Sequence, residues 1–205
     1  MLTPHNFETD IETLVQNFRN LALKQETFNI EGLSKLSLDI VEVFNNGGKI
    51  AFMGNGGSAA EAMHLAAEFT GKCVVNHKPL PAICLNESQS SLTAIANDFG
   101  NEYVFSRQVD AHLKAGDLLI GLSTSGRSKN ILNALDTASD RLIRSMIWMG
   151  DFEFESPKYE SWKVPSKSTP RIQEIHLAWG HILAEIVERE FVEQKDIKTR
   201  LIENS

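Results

Sequence analysis

Cysteine is scarce in this chain of 205 residues, which contains only Cys73 and Cys84. Neither belongs to a Cys-x-x-Cys pair, and two cysteines do not make a disulfide framework, so a reducing compartment is expected. Residues 1–10 also lack the basic segment and the apolar segment of a secretory signal. These absences together predict a cytoplasmic protein.

Long apolar runs and an excess of basic residues are lacking as well. A helix that spans a bilayer needs about 18–20 consecutive apolar residues, whereas the apolar runs here are only a few residues long. The 20 Lys and Arg residues are outnumbered by 27 Asp and Glu residues, which gives a formal net charge of −7. No nucleic acid and no membrane is therefore expected as a partner, since binding to these polyanions needs a basic surface. An anionic small substrate would have to be held by local hydrogen-bond donors.

What is present is a globular composition, with 42% hydrophobic and 23% charged residues. Short apolar segments typical of buried strands alternate with segments typical of helices. Strands are predicted at 49–53, 81–85, 117–122, 145–149 and near 162–165, and helices at 31–45, after 58, from 126 to about 139 and from 169 past 191. This alternation predicts an α/β fold, a three-layer doubly wound sandwich with a mainly parallel five-stranded sheet.

Residues 1–46 are predicted to form a helical extension ahead of a single domain that spans residues 47–205. The apolar residues of the extension are spaced alternately by four and three, as in the seam of a packed helix: Phe7, Ile11, Leu14, Phe18, Leu21 and, after a gap at Gln25, Phe28. This seam suits a helix from another subunit, and an amphipathic helix lying on its own domain is the alternative. We expect the extension to contact both the core and a neighbouring subunit.

Two loops that follow predicted strands are rich in groups that bind phosphate. Residues 54–58 read Gly-Asn-Gly-Gly-Ser, and residues 123–128 read Ser-Thr-Ser-Gly-Arg-Ser. Glycines let the backbone approach an anion, while hydroxyls and helix N-termini donate hydrogen bonds. Neither loop has the spacing of a dinucleotide-binding motif or of a P-loop. Each loop alone could be a tight turn that caps its helix, but two of them after parallel strands favour a phosphate site.

A second group of residues suits metal binding or acid–base chemistry. His64 and Glu68 are four residues apart, so a helix places them on one face, although such pairs also occur on solvated faces without a function. On the last helix His176 and His181 point in different directions, and His176 is expected to be a packing or surface residue. Gln173 and His181 could reach one ion only by leaning toward each other. Spacing alone leaves open whether the two helices meet.

Several segments resemble, in order along the chain, the signatures of phosphoheptose isomerase, a family of SIS-domain sugar isomerases. One such motif is only moderately specific, whereas the ordered set is highly specific and covers nearly the whole chain. The similar segments are 54–58, 62–64, 68–71, 97–100, 123–126 with Ser128, and 171–176 followed by His181.

The resemblance implies an aldose–ketose isomerase that converts sedoheptulose 7-phosphate to D-glycero-D-manno-heptose 7-phosphate through an enediol(ate), the first step of ADP- or GDP-heptose biosynthesis. It also implies a homotetramer with active sites near the subunit interfaces and one zinc ion per subunit. The implied zinc ligands are His64, Glu68, Gln173 and His181, and the implied acid–base residues are Glu68 and His181. The implied substrate and phosphate contacts are Asn55, Gly56, Gly57, Ser58, Glu68, Asn97, Asp98, Ser123, Thr124, Ser125, Ser128 and Gln173.

The chain departs from the family pattern at three places that bear on the choice of sugar. Pro170 stands where family members commonly have an Asp that contacts sugar hydroxyls, and Lys72 stands where many have Arg. Residues 150–155, Gly-Asp-Phe-Glu-Phe-Glu, replace a glycine-rich loop. Cys73 lies five residues after Glu68 and is expected to be inert.

Two other functions are compatible with parts of this pattern. A non-catalytic SIS-domain regulator, resembling the protein that binds the replication initiator DnaA, shares the fold but lacks the His and Glu residues that this chain retains. Another sugar-phosphate isomerase, such as one that acts on arabinose 5-phosphate, usually carries further domains.

Overall fold

Five strands and seven α-helices are present in residues 7–203, which the computed structural model describes, with side chains through residue 192. Residues 1–6 and 204–205 of the predicted extension and domain lie outside the described residues. No helix in the described range is long and apolar enough to cross a membrane. In chain order the elements are α1 (Phe7–Ala22), α2 (Ile30–Asn45), β1 (Ile50–Gly54), α3 (Gly57–Thr70), β2 (Ala82–Cys84), α4 (Gln89–Phe99), α5 (Ser106–His112), β3 (Leu118–Leu122), α6 (Lys129–Asp140), β4 (Arg144–Gly150), β5 (Glu160–Val164) and α7 (Thr169–Glu203), with short 3-10 turns at Gln25–Thr27 and Asn101–Tyr103.

The five strands form one parallel sheet in the order β2-β1-β3-β4-β5. Ile50 of β1 is in register with Ala82 on one side and with Leu118 on the other. The chain therefore proceeds from β1 outward to β2 and then crosses back to β3, so the strand order reverses between β1 and β3. The crevice beyond the carboxyl ends of two such strands is the usual ligand site of an open parallel sheet.

Alternate residues of the central strands face two separate apolar cores. Ile50 and Phe52 of β1 pack with α2, α3 and α7 on one face of the sheet. Ala51 and Met53 pack with α5 and α6 on the other face. The predicted three-layer sandwich with a five-stranded parallel sheet is therefore confirmed, and the five predicted strands agree with the observed ones to within about two residues.

The N-terminal helix is shorter than the predicted seam. α1 ends at Ala22, and the chain then makes a 3-10 turn before Phe28. The turn is held by the buried Thr27, whose hydroxyl donates to the Leu21 carbonyl oxygen at 2.6 Å and whose own carbonyl oxygen accepts from Trp179 Nε1 at 2.7 Å. The prediction of one continuous seam through Phe28 is thus wrong beyond Ala22, because these bonds redirect the chain onto α7.

The seam of α1 is largely uncovered within a single chain. Phe7 is 69% exposed, and Ile11, Leu14 and Phe18 are also exposed. Leu21 alone among the α1 residues is buried. The helix therefore contacts the core through its C-terminal turn and presents an apolar face to its surroundings.

Leu142, which follows α6, has a left-handed backbone conformation with φ of +59°. Its side chain is 84% exposed, so it adds little packing to offset the strain. The left-handed conformation costs a non-glycine residue about 1–2 kcal/mol, which a glycine at this position would not lose. Glycine has more conformational freedom in the unfolded chain, and this reduces the expected gain in stability by about 0.5–1 kcal/mol. We expect Leu142→Gly to raise the free energy of unfolding by about 0.5–1 kcal/mol, measured by urea unfolding at one protein concentration. Leu142→Ala keeps the backbone strain and is the matched control. A loss of stability in the glycine variant would contradict the assignment of strain.

Candidate active site

The two predicted phosphate loops lie side by side at the crevice between β1 and β3. Asn55, which follows β1, and Asn130, in the first turn of α6, exchange two amide hydrogen bonds of 2.9 Å each. Asn86, which follows β2, similarly exchanges bonds with the backbone of Gly54, at 3.1 and 2.9 Å. Side-chain amides therefore join the carboxyl ends of β1 and β2 to the first turn of α6.

The hydroxyls of these loops do not cap the helices that follow. α3 begins after Gly56, which has φ of +57°, and no side chain caps its first turn. Ser128 precedes α6 without capping it, and its Oγ instead accepts from Ser123 Oγ at 3.1 Å. Capping alone therefore does not explain these residues. The arrangement favours a site in which an anion lies at the two helix N-termini.

His64, Glu68 and His181 come together although they belong to different helices. His64 and Glu68 lie on one face of α3, with Nε2 and Oε1 3.2 Å apart. His181 of α7 brings its Nε2 to 2.7 Å from the His64 Nε2. One ligand atom from each of the three residues lies within 4.8 Å of the other two. The sequence spacing left open whether α3 and α7 bring these residues together, and the structure shows that they do.

This donor set fits a zinc-type ion. Two imidazole nitrogens at 2.7 Å need a hydrogen or a cation between them, because their lone pairs repel. Two histidines with a carboxylate are ligands that zinc prefers, and three protein ligands leave room for a fourth. Gln173, the fourth implied ligand, lines the same cavity as His64.

The close approach of α3 and α7 depends on Gly180. A Cβ atom at Gly180 would overlap with the side chain of Leu65 on α3, so no larger residue fits there without a shift. Gly180 directly precedes His181, and Leu65 directly follows His64. The glycine therefore allows the two helices to approach at the point where the cluster forms.

A cavity of about 440 Å³ lies between the N-terminal parts of α3 and α7. Gln173 donates from Nε2 to Ser58 Oγ at 3.3 Å beside this cavity. Pro170, which stands in place of the expected sugar-binding Asp, also lines this cavity, and its side chain carries no polar group. The cavity is lined by Gly57, Ala60, Glu61, His64, Pro170, Gln173, Glu174 and Leu177.

Two buried titratable groups lie at this cavity: Glu61, which lines it, and His176, which lies next to Glu61. Glu61 is 5% exposed, and burial raises the pKa of its carboxyl to about 7, while Ser58 and Gln173 counteract part of the shift. His176 is fully buried, and burial lowers the pKa of its imidazole to about 3. Its Nδ1 lies 3.8 Å from Glu61 Oε1. The sequence predicts that His176 is a packing or a surface residue, and its complete burial confirms the first of these alternatives.

The remaining implied substrate contacts are not part of this cavity. Asn97 and Asp98 lie on α4, where the Asn97 amide donates to Asp98 Oδ1 at 2.8 Å. Thr124 and Ser125 continue the loop after β3, and Ser125 Oγ accepts from the Arg127 backbone N–H at 3.2 Å. These four residues keep their role as predictions that rest on the resemblance.

The unusual 150–155 segment contacts the loop after β3. The Gly150 backbone N–H donates to the Thr124 carbonyl oxygen at 3.0 Å. The Phe152 ring lies near two cations, 5.7 Å from the Arg127 guanidinium and 5.9 Å from the Lys167 ammonium. A segment that differs from the family pattern thus touches one of the two candidate phosphate loops.

The segment after α3 is fixed by Glu188 of α7. Its buried carboxylate accepts from the backbone N–H groups of Cys73, Val74 and Val75 at 3.0, 2.6 and 2.8 Å, and it lies 3.2 Å from His77 Nε2. Burial and the nearby Glu68 raise the pKa of the Cys73 thiol to about 11. The thiol is therefore protonated at neutral pH, which agrees with the expectation that it is inert.

Sequence reasoning missed four residues that shape this site: Asn86, Asn130, Glu61 and Glu188. Asn130 and Asn86 are ordinary helix-start and loop residues by pattern, and nothing in their neighbours indicated their partners. Glu61 gave a usable signal, since it lies one helical turn before His64 and one heptad before Glu68.

The comparisons with known proteins agree with this architecture. The family model of the SIS domain matches residues 14–144, which defines the class as a SIS-domain protein. Phosphoheptose isomerase of Helicobacter pylori (strain P12) is 45% identical to this chain over 173 residues, which cover 83% of this chain and 90% of the relative. Phosphoheptose isomerase of Thermodesulfovibrio yellowstonii is 41% identical over 82% of this chain and 86% of the relative. The structure of phosphoheptose isomerase from Neisseria gonorrhoeae aligns with a TM-score of 0.82 at 32% identity over 90% of this chain and 100% of that one. The chain belongs to the phosphoheptose isomerase family.

Proposed function

We propose that the protein is an aldose–ketose isomerase that converts sedoheptulose 7-phosphate to D-glycero-D-manno-heptose 7-phosphate. The observation that carries this proposal is the meeting of His64, Glu68 and His181 beside α3, the helix that begins at the first of the two phosphate-type loops, in a chain of the phosphoheptose isomerase family. The reaction needs proton-transfer groups at one end of the substrate and an anion site at the other, and these features supply both.

The isomerisation moves two protons and leaves the atoms of the sugar otherwise in place. A base takes a proton from C1 of the ketose while O2 gains one, which gives an enediol(ate). Return of a proton to C2 and loss of the O1 proton then give the aldose. We propose that Glu68 and His181 share these transfers. Because Glu68 has two carboxylate oxygens, one can hold a metal while the other exchanges a proton.

The phosphate end of the substrate is proposed to lie against Ser58, Ser123 and Ser128. Hydroxyls and helix N-termini bind it without a basic patch, which suits a chain with a net charge of −7. Binding energy from this remote group positions the reacting carbons beside Glu68 and His181.

A zinc ion, one per subunit, is proposed at His64, Glu68, Gln173 and His181. When bound, it would polarise the sugar carbonyl and stabilise negative charge on the enediolate oxygens. The choice of zinc rests on the donor set of two imidazoles, a carboxylate and an amide.

The setting of the enzyme is also a proposal. We place it in the cytoplasm, as a homotetramer with active sites near the subunit interfaces, at the first step of ADP- or GDP-heptose biosynthesis. The uncovered apolar face of α1 supports assembly, because Phe7, Ile11 and Leu14 are exposed in the single chain.

The test is an NMR assay of the purified protein with sedoheptulose 7-phosphate. We expect conversion to the aldose, loss of most of the rate with a chelator, and recovery when Zn²⁺ is returned. Conversion that is indifferent to the chelator would contradict the zinc proposal alone. No conversion at all would contradict the proposed function and favour the regulator, which the relatives at 41–45% identity do not support.

A further inference from the structure

Glu61 is a buried carboxylate that no part of the proposed reaction uses. It lies on α3 one turn before His64, lines the cavity between α3 and α7, and is 5% exposed. Neither carboxylate oxygen completes a hydrogen bond of normal geometry among the described residues. Burying a hydrogen-bond acceptor without a partner costs free energy of folding, so we expect a hydrogen-bond donor next to Glu61.

That donor is the side-chain amide of Gln173. Glu61 of α3 and Gln173 of α7 line the same cavity, and the side chains of Ser58 and Gln173 lower the pKa of the Glu61 carboxyl against the larger effect of burial. Gln173 Nε2 already donates to Ser58 Oγ at 3.3 Å. A Cβ atom at Gly57 would overlap with Gln173 Nε2, so the glycine leaves space for the amide nitrogen on this side.

These contacts select one of the two orientations of the Gln173 amide. In its charged form the Glu61 carboxyl only accepts hydrogen bonds, so it attracts the Gln173 Nε2 and repels the Oε1. Metal ions bind the oxygen of an amide, and an amide with its nitrogen outward could not ligate. The orientation that satisfies Glu61 is therefore the one that frees Oε1 for a metal.

We propose that Glu61 is a positioning residue, which holds the Gln173 amide with its oxygen free to join His64, Glu68 and His181 as a metal ligand. The inference rests on the metal set of the proposed function. Residues that orient a ligand from behind commonly change metal affinity by about 10–100-fold when they are lost.

The experiment measures Zn²⁺ affinity by competition with a chromophoric chelator, without substrate. Glu61→Leu removes the acceptor, and Glu61→Gln removes the charge but keeps an oxygen that accepts from Gln173. We expect Glu61→Leu to weaken Zn²⁺ binding by about 10–100-fold and Glu61→Gln to retain nearly all of it. Circular dichroism and thermal unfolding confirm that each variant is folded.

A double-mutant comparison separates positioning from a general structural role. In the Gln173→Ala background, Glu61→Leu should produce no further loss of Zn²⁺ affinity, because the group it orients is gone. An equal loss in both backgrounds, wild-type affinity in Glu61→Leu, or a wild-type protein that binds no Zn²⁺ would each overturn the proposal. A wild-type protein that binds Zn²⁺ tightly but does not isomerise the sugar would contradict the proposed function and leave this inference standing.

Discussion

Glu68→Gln should lower kcat for sedoheptulose 7-phosphate by about 1,000-fold or more, since loss of a general base alone removes about 10²–10⁴-fold and the proposed metal site would lose a charged ligand as well. The substitution keeps the size of the side chain but removes the proton-accepting carboxylate. Binding of the sugar phosphate should persist, because the loops after β1 and β3 are untouched. The measurements are the NMR assay and the thermal shift produced by the substrate.

The matched control for this variant is Glu185→Gln. Glu185 is a carboxylate on α7 that pairs with Arg189 and takes no part in the cluster. This variant should keep the wild-type rate. A Glu68→Gln enzyme with kcat within tenfold of the wild type would contradict the proton-transfer role.

Glu188→Ala should be the most destabilising single change considered. It removes a carboxylate that is 1% exposed and leaves three backbone N–H donors and His77 without their acceptor. Loss of one partner of a buried charged network costs about 3–5 kcal/mol. For a domain of this size that loss corresponds to a fall in Tm of roughly 6–20 °C, measured at one protein concentration.

The effect of Glu188 should also depend on pH. Burial raises the pKa of its carboxyl, but the backbone N–H groups of residues 73–75 and the nearby His77 lower it by more, so the net shift is downward. A carboxyl with a lowered pKa in the folded state contributes stability above its ordinary pKa and loses it in acid. The difference in Tm between the wild type and Glu188→Ala should therefore narrow below about pH 4.5. The control is Glu185→Ala, which removes an exposed ion pair with Arg189 on the same helix. This substitution should change the free energy of unfolding by less than about 1 kcal/mol at any pH. A similar loss in both variants would contradict the anchoring role.

The sheet was predictable because each strand is a short apolar run that ends at a polar loop. Ile50–Gly54 and Leu118–Leu122 are buried along their whole length, and burial on both faces leaves an uninterrupted apolar signal. α4 gave no such signal, because none of its residues is fully buried. A helix without a buried stripe has little periodicity for sequence reasoning to detect.

The candidate site was predictable only in its local parts. The spacing of His64 and Glu68 follows from helix geometry, which local sequence determines. The meeting with His181 depends on how α3 and α7 pack, which involves residues 117 apart and a close contact at Gly180. Such tertiary contacts have no periodic signature, and family resemblance alone connected these positions beforehand.

The reciprocal amides of Asn55 and Asn130 have a consequence for how the enzyme should respond to its medium. Both groups are uncharged and neither titrates in water, so the link between the two loops is insensitive to ionic strength and to proton concentration. We therefore expect the spacing of the two loops to stay the same when the charge of a phosphate bound there changes with pH. A salt dependence of KM would then come from the charge of the ligand and not from a change in the spacing of the two loops.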